Sequence, residues 1–596
     1  MKHITPNLHL IEDTCNVYAV AAGDETLLID CGTDLRPGAA DLSDRKVSKI
    51  LLTHFHRDQC SSANVWQEAG TPICLPFVER LFLEESDLRR AGYDIYNNYE
   101  SFYDCFGPLE DIHADEYAFD HSRIAWQHMT FEVVPLPGHT FGSIGYLLEV
   151  DGKRVLACGD LLSGPEKLHS YFSNQWSYMG FTGHSHLIDS IRKIEGMDLD
   201  LILPGHGQPF EADAKALARM RGRLERTYEM FFGRAYEEFR PEFRQITEHV
   251  SEITNAMART YIIRDDDGRA VMIDCGYVSN MPIQANPHRY IDNLTRFLEP
   301  ELGIREVEWF IPTHYHDDHL AGYPALKNRY GTKVVSAPEI KDILEHPERY
   351  DMPCAVPEGM QVHHVVERGE AFDWRGIKFF VEQHPGQTLY HHIIFFECDG
   401  QKFLAIGDNI SGISLKERRE LVHSFIPKNR TPVSSYLDMP QRILERSPDY
   451  LLTGHSGALS YDELQMQRWR EWMEEWHEHF TSLIDQPHAS MGMDPHWVEF
   501  YPYKVRIQPG EAVRFAVNIT NYEPTTCRCA MRFRSVEGVQ IEPGSAEVDV
   551  ESGTTKVCEL NVSFPKSFKT HSLTILADVT WNGRRLGEIA EAVAYW

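Results

Sequence analysis

Short apolar runs alternate with longer amphipathic stretches along most of the chain, and this alternation predicts mixed α/β structure. The apolar runs have the length of buried strands. The stretches 211–232 and 462–480 have the pattern of amphipathic helices, and in the second Trp469, Trp472 and Trp476 recur at the spacing of one helix face. We expect this Trp stripe to serve packing.

The last hundred residues show a different pattern, in which single apolar and polar positions alternate. Between 512 and 583, runs rich in β-branched residues are separated by Gly, Pro and Asn turns, which is typical of a β-sandwich. The segment 484–496 between the two patterns contains Pro, Gly and Ser and predicts a linker. We therefore predict an all-β, immunoglobulin-like sandwich over 497–596, with a structural or interaction role.

The α/β part of the chain contains an internal repeat. Five short motifs recur in the same order, at 27–34 and 271–278, 51–60 and 311–320, 135–143 and 382–391, 157–164 and 405–412, and 201–209 and 450–458. The spacings between the later motifs agree to within one residue. We therefore predict two tandem copies of one domain, over 1–235 and 241–485.

Composition narrows the class of protein. The chain has 42% hydrophobic and 25% charged residues, as soluble globular proteins do, and no apolar run approaches the roughly 20 residues that span a bilayer. The N-terminus lacks the apolar segment of a signal peptide, so we expect a cytoplasmic protein without a membrane partner. A net charge of −31 repels a polyphosphate backbone and disfavours nucleic acid as a partner. The twelve cysteines are expected to be reduced thiols.

Histidine and aspartate follow the apolar runs in both copies, where loops at one sheet edge bring distant residues together. The first copy offers His54, His56, Asp58, His139, Asp160 and His206. The second offers His314, His316, Asp318, His319, Asp408 and His455. Because imidazole and carboxylate ligands suit zinc, iron or manganese, the sequence predicts a metal centre in each copy.

This order of ligands resembles that of the metallo-β-lactamase superfamily, and within it the glyoxalase II-like metallohydrolases. The resemblance implies an α/β fold of two tandem αβ/βα four-layer sandwiches, followed here by the all-β sandwich. It also implies a small-molecule substrate, with zinc as the cofactor, one or two per domain, and iron or manganese as alternatives.

The resemblance also implies a role for each candidate residue. In the first copy one metal takes His54, His56 and His139, the other takes Asp58, residue 59 and His206, and Asp160 bridges them. In the second copy one metal takes His314, His316 and residue 387, the other takes Asp318, His319 and His455, and Asp408 bridges them. Asp58 and Asp318 are the implied catalytic residues, which orient the nucleophile.

Each copy departs from the family pattern at one ligand. Gln59 stands where the second metal of the first copy expects histidine, and Gln387 stands where the first metal of the second copy expects one. Glutamine offers only a neutral carbonyl oxygen, so both are weak ligands. We predict that the first copy favours the three-histidine metal and the second the Asp-His-His metal. His384 lies near Gln387 in sequence but is displaced along its strand, so we do not expect it to substitute.

Three functional hypotheses follow. The leading one is a metal-dependent hydrolase in which a metal-bound hydroxide attacks a small ester, thioester or lactone. The first alternative is a mononuclear-iron oxygenase of the persulfide dioxygenase type, for which the resemblance implies His54, His139 and Asp160. The second is that one copy is degenerate and serves as a scaffold. A homo-oligomer is left open, and the aromatic segments 92–107 and 170–181 are candidates for a pocket mouth or a dimer contact.

Overall fold

The structure is a computed structural model that describes most of the chain. The described residues are 1–42, 45–86, 106–174, 182–238, 240–276, 294–356, 358–411, 414–415, 418–419, 422–484, 486–567 and 572–596. One compact unit holds Met1–Arg240, and the other holds Pro241–Tyr277 and Thr295–Trp596. Within the described ranges no helix is long and apolar enough to cross a membrane.

The first unit is built on two sheets with one core between them. Seven strands lie side by side in chain order in the first sheet: Lys2–Thr5, Leu8–Glu12, Asn16–Ala22, Glu25–Ile29, Lys46–Leu51, Ile73–Pro76 and Glu116–Ala118. Six strands do so in the second sheet: Arg123–Trp126, Met129–Pro135, Ile144–Val150, Lys153–Gly159, Leu201–Pro204 and Phe210–Glu211. Alternating side chains such as Tyr18, Val133 and Tyr146 fill the core between them.

Helices cover the outer face of both sheets. They span Arg57–Cys60, Ala63–Glu68, Arg80–Glu84, Thr182–Glu195 and Ala214–Phe232. Trp66 packs in the cluster outside the first sheet, whereas Leu187 and Leu217 pack outside the second. The last helix is capped by Asp213 and ends at Gly233, whose φ of 66° is left-handed. The order helix, sheet, sheet, helix confirms the predicted four-layer fold.

The second unit begins with a repetition of this architecture. Its first sheet contains, in chain order, Phe243–Gln245, Val250–Ile253, Thr260–Arg264, Arg269–Ile273, Glu306–Ile311, Lys333–Ser336 and His364–Val365. Its second contains Phe372–Trp374, Ile377–Gln383, His392–Cys398, Gln401–Gly407, Tyr450–Thr453 and Gly457–Ser460. The helices span Leu294–Leu302, Asp317–Leu320, Tyr323–Tyr330, Pro338–Glu345, Ser435–Arg446 and Glu463–Leu483. Two short strand pairs (Ile410–Ser411 with Val422–His423, and Ser414–Leu415 with Arg418–Arg419) precede the helix Ser435–Arg446.

Parallel strand pairs determine where the motif loops leave each copy. In the first copy, Glu25–Ile29 pairs in parallel with Lys46–Leu51, and Lys153–Gly159 with Leu201–Pro204. The equivalent strands of the second copy pair in the same way. Because the carboxyl ends of parallel strands share one edge of a sheet, the loops that carry the histidines and aspartates leave from a common edge.

Within its described residues the C-terminal region is β, apart from the lead-in helix Ala489–Met493 and the 3-10 turn Pro495–Trp497. One sheet has the order Val498–Tyr501, Ala512–Thr520, Thr555–Ser563 and Gln540–Glu542. The other has the order Lys504–Arg506, Arg584–Tyr595, Ser572–Trp581, Cys527–Arg534 and Ser545–Val550. Trp497, Phe515 and Trp581 lie in the core that they share. The predicted all-β sandwich is confirmed, whereas its immunoglobulin-like character stays a prediction.

Candidate metal centres

The His-x-His-x-Asp motif lies where a strand gives way to a single helical turn. In the first copy the strand Lys46–Leu51 ends just before His54, and His56 precedes the turn Arg57–Cys60, which carries Asp58. In the second copy the strand Glu306–Ile311 and the turn Asp317–Leu320 hold the corresponding positions. The loop and the turn together direct alternate side chains of the motif into one pocket.

Three histidines of the first copy form a compact buried group. The ligand atoms of His54, His56 and His139 lie within 4.8 Å of one another, and Nε2 of His139 lies 3.0 Å from Nδ1 of His56. Burial lowers the pKa of His139 to about 4 and that of His54 well below its usual value. Nε2 of His54 has no hydrogen-bond partner among the described residues. Neutral imidazoles with an unused nitrogen lone pair fit a divalent metal.

The other half of the same centre, called here its acidic half, is formed by Asp58, Asp160 and His206 and carries charge. Nδ1 of His206 lies 2.9 Å from Oδ1 of Asp160, and Nε2 lies 3.2 Å from Oδ2 of Asp58. Burial alone would lower the pKa of His206, but the two carboxylates raise it to about 10. Burial would likewise raise the pKa of Asp160, but His206, His139 and His54 hold it well below its usual range. The two carboxylates around His206 thus supply the negative charge that would hold a cation in this half.

In the second copy the structure brings together the acidic half of the centre and His314. His319 belongs to two groups of ligand atoms within 4.8 Å, one with His314 and Asp408 and the other with Asp318 and His455. Nε2 of His319 lies 3.3 Å from Oδ1 of Asp408. Burial alone would lower the pKa of His319, but Asp408, Asp318 and Asp274 raise it well above its usual value.

His455 completes the acidic half of the second copy. Its Nδ1 lies 2.8 Å from the backbone oxygen of Met257, which requires the ring to carry its proton on Nδ1 in the neutral form. Nε2 then faces Oδ2 of Asp408 at 3.0 Å. A backbone acceptor that orients a histidine in this way is typical of metal ligands.

The two glutamines have the same partner in both copies. Nε2 of Gln59 donates to Oδ2 of Asp160 at 3.1 Å, and Nε2 of Gln387 donates to Oδ2 of Asp408 at 2.9 Å. Both side chains are buried, and neither Oε1 atom has a hydrogen-bond partner among the described residues. Each glutamine therefore donates a hydrogen bond to the carboxylate that would otherwise bridge two metals. Because the amide is uncharged, it does not neutralise the charge of that carboxylate.

His316 of the predicted set lies apart from the compact groups of the second copy, as does His384, which the sequence does not predict to be a ligand. His316 keeps its ring 4.5 Å from that of His314, but its Nε2 lies 3.2 Å from the hydroxyl of Tyr315. His384 is buried beside a polar cavity lined by Ser435 and Arg442, and belongs to none of the ligand groups among the described residues.

Sequence reasoning missed the aspartates that support the ligands. Asp274 accepts a hydrogen bond from Nδ1 of His319 at 2.8 Å, which leaves Nε2 free for a metal. Asp30, at the same place in the first copy, accepts from the backbone and hydroxyl of Thr53. Both residues begin the tripeptide Asp-Cys-Gly in the repeated motifs 27–34 and 271–278, so the repeat contained the signal but no role was inferred from it.

The glycine of each Gly-His motif is required by a close approach. A Cβ at Gly205 would overlap Oδ1 of Asp160, and a Cβ at Gly454 would overlap Oδ1 of Asp408. The aspartate thus packs directly on the backbone that precedes the ligand histidine, His206 or His455. This contact explains why the dipeptide recurs in both copies.

The mouth of the first pocket contains aromatic rings and a further histidine. The ring of His169 stacks on that of His206 with centroids 3.7 Å apart; nothing in the repeat points to His169. Phe106 contacts the ring of His56 at 5.3 Å and Phe172 at 5.8 Å. The rest of the predicted aromatic segments, 92–105 and 175–181, lies outside the described residues.

A family model described as the metallo-beta-lactamase superfamily matches residues 10–206 and 254–455. The chain belongs to this superfamily. The predicted resemblance is thereby confirmed, and both matched ranges end at the Gly-His histidine of a copy. Metallohydrolase chemistry is supported at the level of the superfamily.

Two curated relatives match part of this metallo-beta-lactamase chain. A ribonuclease Z of Mycobacterium tuberculosis is 30% identical over 149 residues, which are 24% of this chain and 53% of that protein. A hydroxyacylglutathione hydrolase of Stenotrophomonas maltophilia is 32% identical over 138 residues, 23% of this chain and 42% of that protein. The chain thus spans about half the length, or less, of the curated relatives it matches.

Solved metallo-beta-lactamase structures also match. A family protein from Thermus thermophilus has 20% identity and a TM-score of 0.31, over 39% of this chain and 83% of that chain. A subclass B3 metallo-beta-lactamase of Bradyrhizobium japonicum has 16% identity and a TM-score of 0.30, over 39% of this chain and 92% of that chain.

Proposed function

We propose that the protein is a zinc-dependent hydrolase of a small ester, thioester or lactone, with one tightly bound metal in each copy. The observation that carries the proposal is that each copy keeps one half of the centre complete while a glutamine amide occupies the other half. His54, His56 and His139 would hold the metal of the first copy. Asp318, His319 and His455 would hold that of the second, with Asp408 alongside.

Different residues of the protein would have different roles in such a hydrolysis. A divalent ion bound by three ligands supplies a Lewis acid and lowers the pKa of a bound water from 15.7 to about 7. Asp58 is partly exposed and lies 3.2 Å from His206, so it can orient the attacking water and accept its proton. Asp318, 3.5 Å from Nε2 of His455, has the same role in the second copy. The buried histidines exclude other water from the reacting carbonyl.

A small substrate accords with the charge of the chain. The net charge of −31 weakens binding to a polyphosphate such as RNA, although one relative is named a ribonuclease Z. The relative named hydroxyacylglutathione hydrolase supports a thioester as the first substrate to test.

One observation favours an oxygenase as the second candidate. Oδ2 of Asp160 lies 3.8 Å from Nε2 of His54 and 3.5 Å from Nε2 of His139. Two histidines and one carboxylate converging on one point form the ligand set of non-haem iron oxygenases. A mononuclear-iron persulfide dioxygenase therefore stays the alternative for the first copy.

Metal content and turnover of the full chain decide between these candidates. We expect about one zinc per copy, with thioester hydrolysis and no oxygen uptake. His139→Ala should remove the metal of the first copy, and His455→Ala should remove that of the second. Each variant should also lose the part of the activity that the altered copy contributes. His479→Ala, at an exposed position, is the matched control.

Two outcomes would contradict the hydrolase, and one would restrict it to a single copy. Stoichiometric iron with oxygen consumption on a persulfide supports the oxygenase instead. If one of the two ligand variants loses activity while the other keeps the full activity of the parent, the copy altered in the unimpaired variant is a scaffold. Failure of the chain to retain any metal, with turnover unchanged in the double variant, excludes a metal-dependent reaction.

A further inference from the structure

A buried arginine joins the second metallo-beta-lactamase copy to the C-terminal sandwich. Arg430 follows the turn Pro427–Asn429 with a left-handed φ of 62°, and its side chain is 5% exposed. Nε donates to Asp494 at 3.0 Å, Nη1 donates to Glu499, and Nη2 donates to the backbone oxygen of His496 at 3.1 Å. All three nitrogens of the guanidinium are thus used by the chain that enters the sandwich, so the turn is fixed from outside its own domain.

An aromatic chain forms a second connection between the same two parts. Tyr501, on the first strand of the sandwich, contacts Tyr350 with ring centroids 5.6 Å apart. Tyr350 contacts Tyr390 at 5.4 Å, and Tyr390 contacts Tyr315 at 6.1 Å. The hydroxyl of Tyr501 also donates to Asp342 at 2.6 Å. Buried ring contacts of this kind hold each side chain in one orientation.

The aromatic connection ends at His316, and the arginine connection ends at the loop that carries Gln387. The hydroxyl of Tyr315, the last ring of the aromatic chain, lies 3.2 Å from Nε2 of His316. Asn429, which immediately precedes Arg430, is fully buried. The backbone oxygen of Asn429 accepts from Leu389 at 3.0 Å, two residues beyond Gln387. Nε2 of His316 is therefore occupied by the hydroxyl of Tyr315, and Nδ1 is the nitrogen left for the pocket.

Contacts that orient a ligand histidine from outside the pocket affect metal binding most where another ligand of the same metal is weak. By the family pattern His316 shares the first half of the second centre with His314 and Gln387, and Gln387 donates to Asp408 rather than presenting an imidazole. Fixing the ring of a ligand histidine from outside strengthens metal binding, and loss of such contacts typically weakens it 10- to 100-fold. The half in which Gln387 stands in place of a histidine is thus the half that the two connections reach.

We propose that the C-terminal sandwich supports the weakened half of the second metal centre from outside, by fixing His316 through the aromatic chain and by fixing the Gln387 loop through Arg430, which is a positioning residue. This inference rests on the metal centre proposed above for the second copy. It gives the sandwich a role in metal binding through Tyr501, Asp494 and Glu499, none of which contacts the metal pocket directly.

The test is a titration of the metal-free full chain with Co²⁺, followed by visible absorption. His54→Ala and Asp160→Ala in the parent remove ligands from both halves of the first copy, so the second copy dominates the signal. We expect a tight and a weak Co²⁺ equivalent. Asp494→Asn with Glu499→Gln, and separately Tyr501→Leu, should raise the dissociation constant of the weak equivalent at least about 10-fold and change its spectrum. The tight equivalent should stay unchanged.

A matched control lies inside the sandwich itself. Asp578→Asn removes an ion pair with Arg585, 2.7 Å long, that belongs to neither connection, and should leave both equivalents as in the parent. A weak equivalent that is missing from the parent, or unaltered in variants whose circular dichroism shows a folded chain, overturns the inference. Absence of the tight equivalent from the parent instead overturns the proposed function.

Discussion

Gln59 stands in the helical turn Arg57–Cys60 and Gln387 in the loop after the strand Ile377–Gln383, yet each donates to the central aspartate of its own copy. An amide donor satisfies a carboxylate without adding charge, so Asp160 and Asp408 keep their negative charge for a single metal. The two substitutions therefore have one electrostatic effect in opposite halves of the centre. This common effect is a property of the side-chain contacts that the sequence alone does not contain.

Restoring the histidine at position 59 should restore the second metal. Gln59→His replaces the amide beside Asp160 by an imidazole, which is a stronger ligand for zinc. We expect the first copy to change from about one to about two tightly bound zinc ions, counted by elemental analysis of the dialysed protein. Gln59→Asn, which keeps the amide, is the control, and an unchanged zinc content in the Gln59→His variant would refute this interpretation.

Because His384 is buried and uncharged, we expect the folded protein to lose stability in mild acid. Burial lowers its pKa to about 3 in the folded chain, against about 6.5 when unfolded. The folded state thus binds fewer protons than the unfolded state over this interval, and the free energy of unfolding falls as the pH drops below about 6.5. Between pH 7 and pH 5 this one histidine should contribute about 2 kcal/mol to the fall.

The substitution His384→Leu tests this dependence with the residue found at the equivalent position of the first copy, Leu136. Denaturant unfolding at pH 7 and pH 5 should show a smaller difference in the variant than in the parent. His479→Leu, at an exposed site, should leave the difference unchanged. Equal pH dependence of His384→Leu and the parent would rule out His384 as a source of acid lability.

At the scale of the elements, both copies join their two sheets by the same contact. Asp151, in the turn between Ile144–Val150 and Lys153–Gly159, accepts from the backbone and side chain of Asn7 at 2.7 and 2.6 Å. Asp399, in the equivalent turn, accepts from the backbone and ring of His249 at 2.8 and 2.6 Å. The contact fastens the turn of the second sheet to the start of the strand Leu8–Glu12 in the first.

Removing this contact should destabilise either copy by about 1 to 3 kcal/mol, because hydrogen bonds to a charged acceptor are lost. Asp151→Gly is the informative variant, since glycine tolerates the left-handed φ of 53° at this position. Denaturant midpoints of Asp151→Gly and Asp399→Gly should fall by similar amounts. Asp198→Gly, at an exposed position, is the control, and a shift no larger than in this control would contradict the prediction.

The residues that the sequence could identify are those that recur. The repeat predicted both four-layer domains, and the same motifs placed His54, Asp160 and Asp408 at one sheet edge. Arg430 and Tyr501 could not be predicted, because they come from single segments without a repeat and meet only after two domains have folded against each other. The orientation of His316 was missed for the same reason, since it depends on the hydroxyl of Tyr315. The cytoplasmic location and the oligomeric state stay predictions.

At the scale of the whole molecule, the chain is held together without disulfides in its described part. Eleven cysteines there are free thiols, and Cys354 is the exposed one among them. We therefore expect the melting temperature to be insensitive to dithiothreitol. Native labelling with a thiol reagent should fall by about one equivalent in Cys354→Ser. Retention of the full labelling by Cys354→Ser would contradict the exposure of this side chain.

The buried Arg430 also constrains how such a chain can evolve. A descendant that lost its third domain would lose Asp494 and Glu499 and leave a guanidinium without counter-charges, at a cost of several kcal/mol. Deletion of the sandwich and replacement of Arg430 must therefore occur together, or pass through an intermediate sequence that tolerates the buried unpaired charge. Among tandem homologues, an arginine at this position should be inherited with a C-terminal sandwich, and chains without the sandwich should carry an uncharged residue there.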